Sequence, residues 1–282
     1  MLDRAAIGGM GLALALGLAS VEAWSFKAWA FDDAQYPDWK GAWVRIGNAG
    51  FDPTKANGLP QQPPLTEEYR AIWEANMAAA AAGDQNYNPQ ARCLPGGMPR
   101  MMIAFEPMEI IVRPDVTYLH LSYLNSFRRV YTDGRAWPAQ PRPTLNGYSI
   151  GQWVDEDRDG RFDALLIETR GFGGPRHFDS SGIPTHQDNQ TVIKEQVRLD
   201  KANQNVLVIE LKVSDNALSR PWSVTRKYRR DRNAVWIEHN CAESQQVYVG
   251  KDTYFLSADG HLMPTRKEQL PPDLRYFKKS GN

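Results

Sequence analysis

Carboxylates recur at alternate positions in Asp155-Glu156-Asp157-Arg158-Asp159-Gly160-Arg161-Phe162-Asp163. Oxygen ligands at the first, third, fifth and ninth places, with glycine at the sixth for a sharp turn, match the front of a calcium loop. Acids this close repel one another unless a cation neutralises them. Asp155, Asp157, Asp159 and Asp163 are therefore the candidate metal ligands, and Ca2+ in a structural role is the expected ion. The twelfth place holds Leu166 instead of a bidentate Glu, and the flanks have strand composition, so the loop belongs on a hairpin and is no EF-hand. The competing reading is a solvated acidic turn balanced by Arg158 and Arg161.

A second chemical feature is an acid on an apolar strand face. Thr191, Ile193, Glu195, Val197 and Leu199 alternate along one face, which turns Glu195 inward. A buried carboxylate is costly unless paired or protonated, and perturbed acids of this kind gather at functional sites. The expected inward partners are Arg129, on a face with Phe127 and Tyr131, and His120 beside Tyr118. His186, in the loop entering the Glu195 strand, is the natural acid–base group near neutral pH. Glu195, His186, Arg129, Asp133 and Arg135 form the candidate catalytic set. A structural Glu–Arg pair inside a barrel is the competing reading for Glu195. There is no G-x-S-x-G, phosphate loop, dinucleotide fingerprint or H-x-x-x-H spacing, so no organic cofactor is expected.

The elements that must position these residues are mostly strands. Candidates are 41–47, 109–113, 117–124, 127–132, 147–154, 163–170, 190–200, 204–213, 221–230 and 234–241, separated by turn chemistry such as Asp133-Gly134, Asp159-Gly160 and Asp231-Arg232-Asn233. One helix is predicted over Glu67–Ala82, with Thr66 as N-cap and Gly83 after its end. The expected fold is all-β: a closed antiparallel barrel of about 8–10 strands with one N-terminal helix insertion near 66–83 and irregular tails. A two-sheet sandwich competes with it.

Ala5–Ala19 is apolar and uncharged, and Val21-Glu22-Ala23 offers small residues at a cleavage site. Residues 1–23 are read as a secretory signal, with Ala19 and Ala30 as alternative cuts and an uncleaved anchor as the other possibility; 24–264 is one barrel domain and 265–282 a tail. The stretch is short for a bilayer of ~30 Å. The expected location is periplasmic or secreted, without stable membrane insertion after cleavage. There Cys93 and Cys241, the only two cysteines, would pair in a disulfide; a catalytic thiol is the alternative. With 33 basic and 33 acidic side chains the chain lacks the basic face of a nucleic-acid binder.

Two resemblances follow from particular residues. Gly41-x-Trp43 resembles the G-x-W signature of lipocalins and other calycin barrels, in which a basic residue of a late strand packs over the Trp; Arg226 or Arg229 would fill that place. More widely, residues 36–245 resemble a family of uncharacterised, exported, lipocalin-like bacterial proteins. The matching pieces include Pro37-Asp38-Trp39, Cys93-x-Pro95-Gly96, Arg129-x-Tyr131-x-Asp133-Gly134-Arg135, Gly151-x-Trp153, Pro184-x-His186 and Glu238-x-x-Cys241. The resemblance implies a β-barrel outside the cytoplasm and transfers no activity. The Asp155–Asp163 loop lengthens a turn that is short in that family, so calcium is no part of what it implies.

Two functions of different class fit. One is binding of a small aromatic or apolar-acidic molecule in a polar, acid–base-capable barrel cavity. The other is a cofactor-independent lyase, hydratase, isomerase or hydrolase using Glu195 and His186 as acid and base. A barrel packed solid, serving as an interaction protein, is a third, plainer class.

Overall fold

The structure is a computed structural model that describes residues 32–84, 88–92, 94–123, 126–140, 142–237, 246–249, 252–256 and 262–264. Residues 1–31, both cysteines and residues 265–282 lie outside the described residues, and with them the expected signal and disulfide. No described helix is long and apolar enough to cross a membrane.

Among the described residues nine strands close a barrel. They are β1 (Ala42–Ile46), β2 (Met108–Val112), β3 (Val116–Leu121), β4 (Ser126–Tyr131), β5 (Tyr148–Val154), β6 (Ala164–Arg170), β7 (Val192–Leu199), β8 (Val206–Ser214) and β9 (Trp222–Asp231). Each pairs with its sequence neighbours, and β9 pairs with β1 from Ala42↔Asp231 to Ile46↔Lys227. The expected barrel is present, with one correction: it is mixed. β4 and β5 run parallel through Val130↔Ser149 and Tyr131↔Ile150. Parity supplies the reason. Strict up-and-down alternation closes on itself only with an even number of strands, so a nine-strand circuit needs a parallel pair. Residues 132–147 provide the long return that parallel pairing requires. Three further strands, β10 (Gln246–Val249), β11 (Asp252–Leu256) and β12 (Leu262–Pro264), make a separate antiparallel sheet. Residues 234–237 of the expected last strand are not in a strand, and 238–241 lie outside the described residues.

Period-two patterning drives the closure. Leu119 and Leu121, Leu165 and Ile167, Ile193 and Val197, and Leu207, Ile209, Leu211 and Val213 all point inward and are buried. Each such side chain contributes roughly 1.5–3 kcal/mol by leaving water. The helix α1 (Glu67–Ala81) forms as its ends dictate. The Thr66 hydroxyl accepts from the Tyr69 amide, and Glu67 and Glu68 sit at the positive end of the dipole. Its Trp73 is the one side chain of the helix that is fully buried.

The two ends of the barrel differ. The β2–β3, β5–β6 and β7–β8 connections at one end are short, and the acidic loop 155–163 is among them. The floor there is aromatic: Trp39 lies 4.9 Å from Trp153, and Tyr36 and Phe162 pack on Trp153. Trp43 is completely buried, with its indole N–H donating to the Trp39 carbonyl at 3.0 Å. The cation over Trp43 is Arg230, at 4.5 Å from the ring, rather than Arg226 or Arg229. Arg226 shares the inward face of β9 with Tyr228, and both are occupied elsewhere.

The opposite end carries the long connections, 47–107 with α1 and 171–191. The first of these folds over the mouth as a plug. Buried donors hold its backbone carbonyls: Arg226 donates to Pro99 and Phe51, Tyr228 to Met102, and Arg176 to Met98 at 3.1 Å. Asp179, fully buried, accepts from the Phe51 amide at 3.0 Å and from Ser181. The plug thus leaves few of its own polar groups stranded in the core.

Candidate functional site

Glu195 projects into the barrel, as the alternation of its strand predicts, and is 4% exposed. Its partner is Arg128, not Arg129. In β4 the buried residues are Ser126, Arg128 and Val130, while Phe127 and Arg129 face outward. The expected partner differs from the observed one by a single position, and in a strand that exchanges the two faces completely. The Arg128 guanidinium donates to Glu195 Oε1 at 3.0 Å and to Oε2, to Thr169 Oγ1 at 2.7 Å, and through Nε to Ser149 Oγ at 3.1 Å. One side chain from β4 therefore ties β5, β6 and β7 together across the parallel seam. Beside it, Gly151 lets β5 pack against Val130 and Leu165: a Cβ there would come within 2.6 Å of Val130.

The other residues of the candidate catalytic set are not brought to Glu195. Arg129 lies over Tyr118 at 5.8 Å on the outer face. Asp133 and Arg135 form an exposed ion pair at 2.6 Å, with Arg135 also 3.8 Å from the Tyr131 ring. That pairing, led by the hydrogen bonds from Arg135, holds the Asp133 carboxyl down at about 2. His186 sits in the loop before β7 with its ring 5.4 Å from Tyr69 of α1 and its Nδ1 3.0 Å from Asp188. His120 stacks on Phe127 at 4.2 Å, outside the barrel.

Three of the four expected metal ligands converge. One carboxylate oxygen each from Asp155, Asp157 and Asp159 lies within 4.8 Å of the others. Backbone amides aim them: Asp155 accepts from Arg158 at 2.6 Å and Gly160 at 2.9 Å, and Asp159 accepts from Arg161 at 2.8 Å. Gly160, at φ +91°, permits the turn. Asp163 instead accepts from the Glu156 amide at 2.6 Å, closing the base of the loop.

The structure also forms a site that no sequence motif marked. Between the plug and the adjoining ends of β3 and β4 lies a cavity of about 220 Å3. Its wall is largely apolar, including Met101, Ile103, Phe105 and Leu121, with Arg100, Tyr123 and Ser126 as polar members. Arg100 is 9% exposed, and its Nη1 donates to Asn88 Oδ1 at 2.8 Å. The surrounding titratable groups register both the low polarity and the cation. Burial pushes the Tyr123 phenol up, against the opposing charge of Arg100. Burial holds His177 down to about 3, with the Arg100 charge acting the same way. Burial also raises the Asp179 carboxyl, against hydrogen bonds from Ser181 and Phe51 and the charge of Arg100. The sequence signal for this site is faint: residues 84–101 read as irregular, and Arg100 stands in no motif there.

No known family model matches the chain, and no curated protein matches it significantly.

Proposed function

We propose that this chain is an exported, small-molecule-binding β-barrel whose ligand is a small acid with an aromatic or branched apolar body, held in the Arg100 cavity. The observation that carries this reading is an arginine 9% exposed that lines a 220 Å3 cavity with a mainly apolar wall. The buried guanidinium gives the wall a positive charge, which favours an anionic ligand in a medium that screens charge poorly. The wall takes the apolar body, and Tyr123 and Ser126 are further polar members of it. The volume is below the usual range for drug-sized ligands, which restricts the occupant to a small acid.

Ca2+ on Asp155, Asp157 and Asp159, export by the leader, a periplasmic or secreted location and kinship with the exported lipocalin-like proteins complete the proposal. Gly41-x-Trp43 at the entry to β1 and a cation over Trp43 support the kinship. Turnover through Glu195 and His186 has no such support, since Arg128 occupies the Glu195 carboxylate.

Isothermal titration with benzoate, phenylacetate and 3-methylbutanoate, each against its neutral amide, tests the reading. The acids should bind and the amides should not. Arg100→Met should weaken the acids by about tenfold to a hundredfold, the worth of a charge-assisted hydrogen bond. Acids and amides bound alike, or acid affinity unchanged in a folded Arg100→Met protein, would refute it.

A further inference from the structure

Given the acid reading of the Arg100 cavity, on which this step rests, we infer that the apolar body of its ligand is an aromatic ring, and that Phe105 is the residue that selects it. A lone exposed phenylalanine is ordinary on a protein surface. Phe105 differs in its surroundings. It is 65% exposed, yet it lines the cavity, and its ring lies 5.8 Å from that of Tyr123, inclined by 47°.

The backbone explains why the two rings meet at the rim. The short helical turn Arg100–Ile103 ends where the Ala104 amide donates to the Met101 carbonyl at 3.3 Å, and the chain bends through Phe105 toward β2. Beyond the Met108↔Leu121 pair, the Ser122 amide donates to the Pro107 carbonyl at 3.1 Å, so β2 and β3 stay joined one step past their ladder. Phe105 and half-buried Tyr123 follow just past that bond, one on each side. Arg100 and Phe105 thus stand at the two ends of one short segment. The first is 9% exposed and the second 65%, so the cation marks the inner part of the cavity and the ring its outer part. An anionic group drawn toward Arg100 leaves the body of the ligand against the aromatic pair.

Area burial alone does not choose that body, since benzene and cyclohexane rings of equal carbon count remove similar apolar surface from water. The π-systems do choose. An aromatic ligand makes edge and offset contacts with Phe105 and Tyr123 that a saturated ring cannot make, worth about threefold to tenfold in affinity.

Calorimetric titration of the full chain with benzoate, cyclohexanecarboxylate and the amide of each tests this. Benzoate should bind about threefold to tenfold more tightly than cyclohexanecarboxylate. Phe105→Leu, which keeps an apolar side chain at the rim, should level the two acids by weakening benzoate alone, and Phe105→Tyr should retain the preference. Circular dichroism and melting temperature should not change in either variant. Equal affinity of the two acids in the parent, or a preference that persists in Phe105→Leu, overturns the selection by Phe105 while leaving the acid reading in place. Benzoate and benzamide bound alike, with a ring preference that Phe105→Leu removes, would instead sink the acid reading and uphold the aromatic pair. Binding of none of the four overturns both.

Discussion

Buried arginines hold much of the polar interior among the described residues. Arg128 and Glu195, with side chains 1% and 0% exposed, form an ion pair that Ser149 and Thr169 complete. Such a pair contributes little over well-packed apolar groups, yet removing one partner strands the other charge. Glu195→Gln should therefore lower stability by about 3–5 kcal/mol, measured by urea unfolding. The double change Arg128→Met with Glu195→Leu should recover most of the loss. A Glu195→Gln protein as stable as the parent would show that the guanidinium finds its compensation elsewhere. The contrast with Arg129 is a matter of one position: it has the same chemistry, but its Cβ points to the other side of the sheet.

At the scale of elements, turns and connections hold the protein's distinctive chemistry. The β5–β6 turn gathers Asp155, Asp157 and Asp159, whose mutual repulsion a bound cation would relieve. Calcium at a hundred times its dissociation constant should add roughly 2.7 kcal/mol, a rise of several degrees in melting temperature, and a chelator should reverse it. Asp157→Asn should abolish most of the response. A melting temperature indifferent to calcium and chelator removes the metal from the description of this loop. The 47–107 connection works differently. It carries few charges into the core and relies on Arg226, Tyr228 and Arg176 to satisfy its carbonyls.

The whole molecule responds to pH through groups buried at the plugged end. His177 titrates at about 3 in the native state against 6.5 for the free side chain. As pH falls from 6.5 toward 3, the unfolded chain gains a proton that the native ring does not, so stability declines. Asp179, raised by burial, holds its proton longer in the native state and acts with the opposite sign. It is present in both proteins of a His177→Gln comparison and cancels. Urea unfolding at pH 7.5 and pH 4.5 should show a smaller acid loss in His177→Gln than in the parent, by about 1–3 kcal/mol. Equal losses would mean that the ring charges freely in the native protein.

The sequence by itself determined the nine barrel strands, the helix with its Thr66 cap and the inward aim of Glu195, because period-two and period-three-point-six patterning and turn residues act over a few neighbours; it left a barrel and a sandwich both open. It also located the acidic loop, whose carboxylates lie within one turn. Tertiary structure alone decided that the barrel has nine strands with a parallel seam, that Arg128 and not Arg129 meets Glu195, that the mouth is plugged, and that Arg100 lines a cavity with Tyr123 and Ser126. Each of these depends on register or on contacts between residues far apart in the chain. Local composition scarcely constrains such contacts, because their free energy is gained only when the barrel closes.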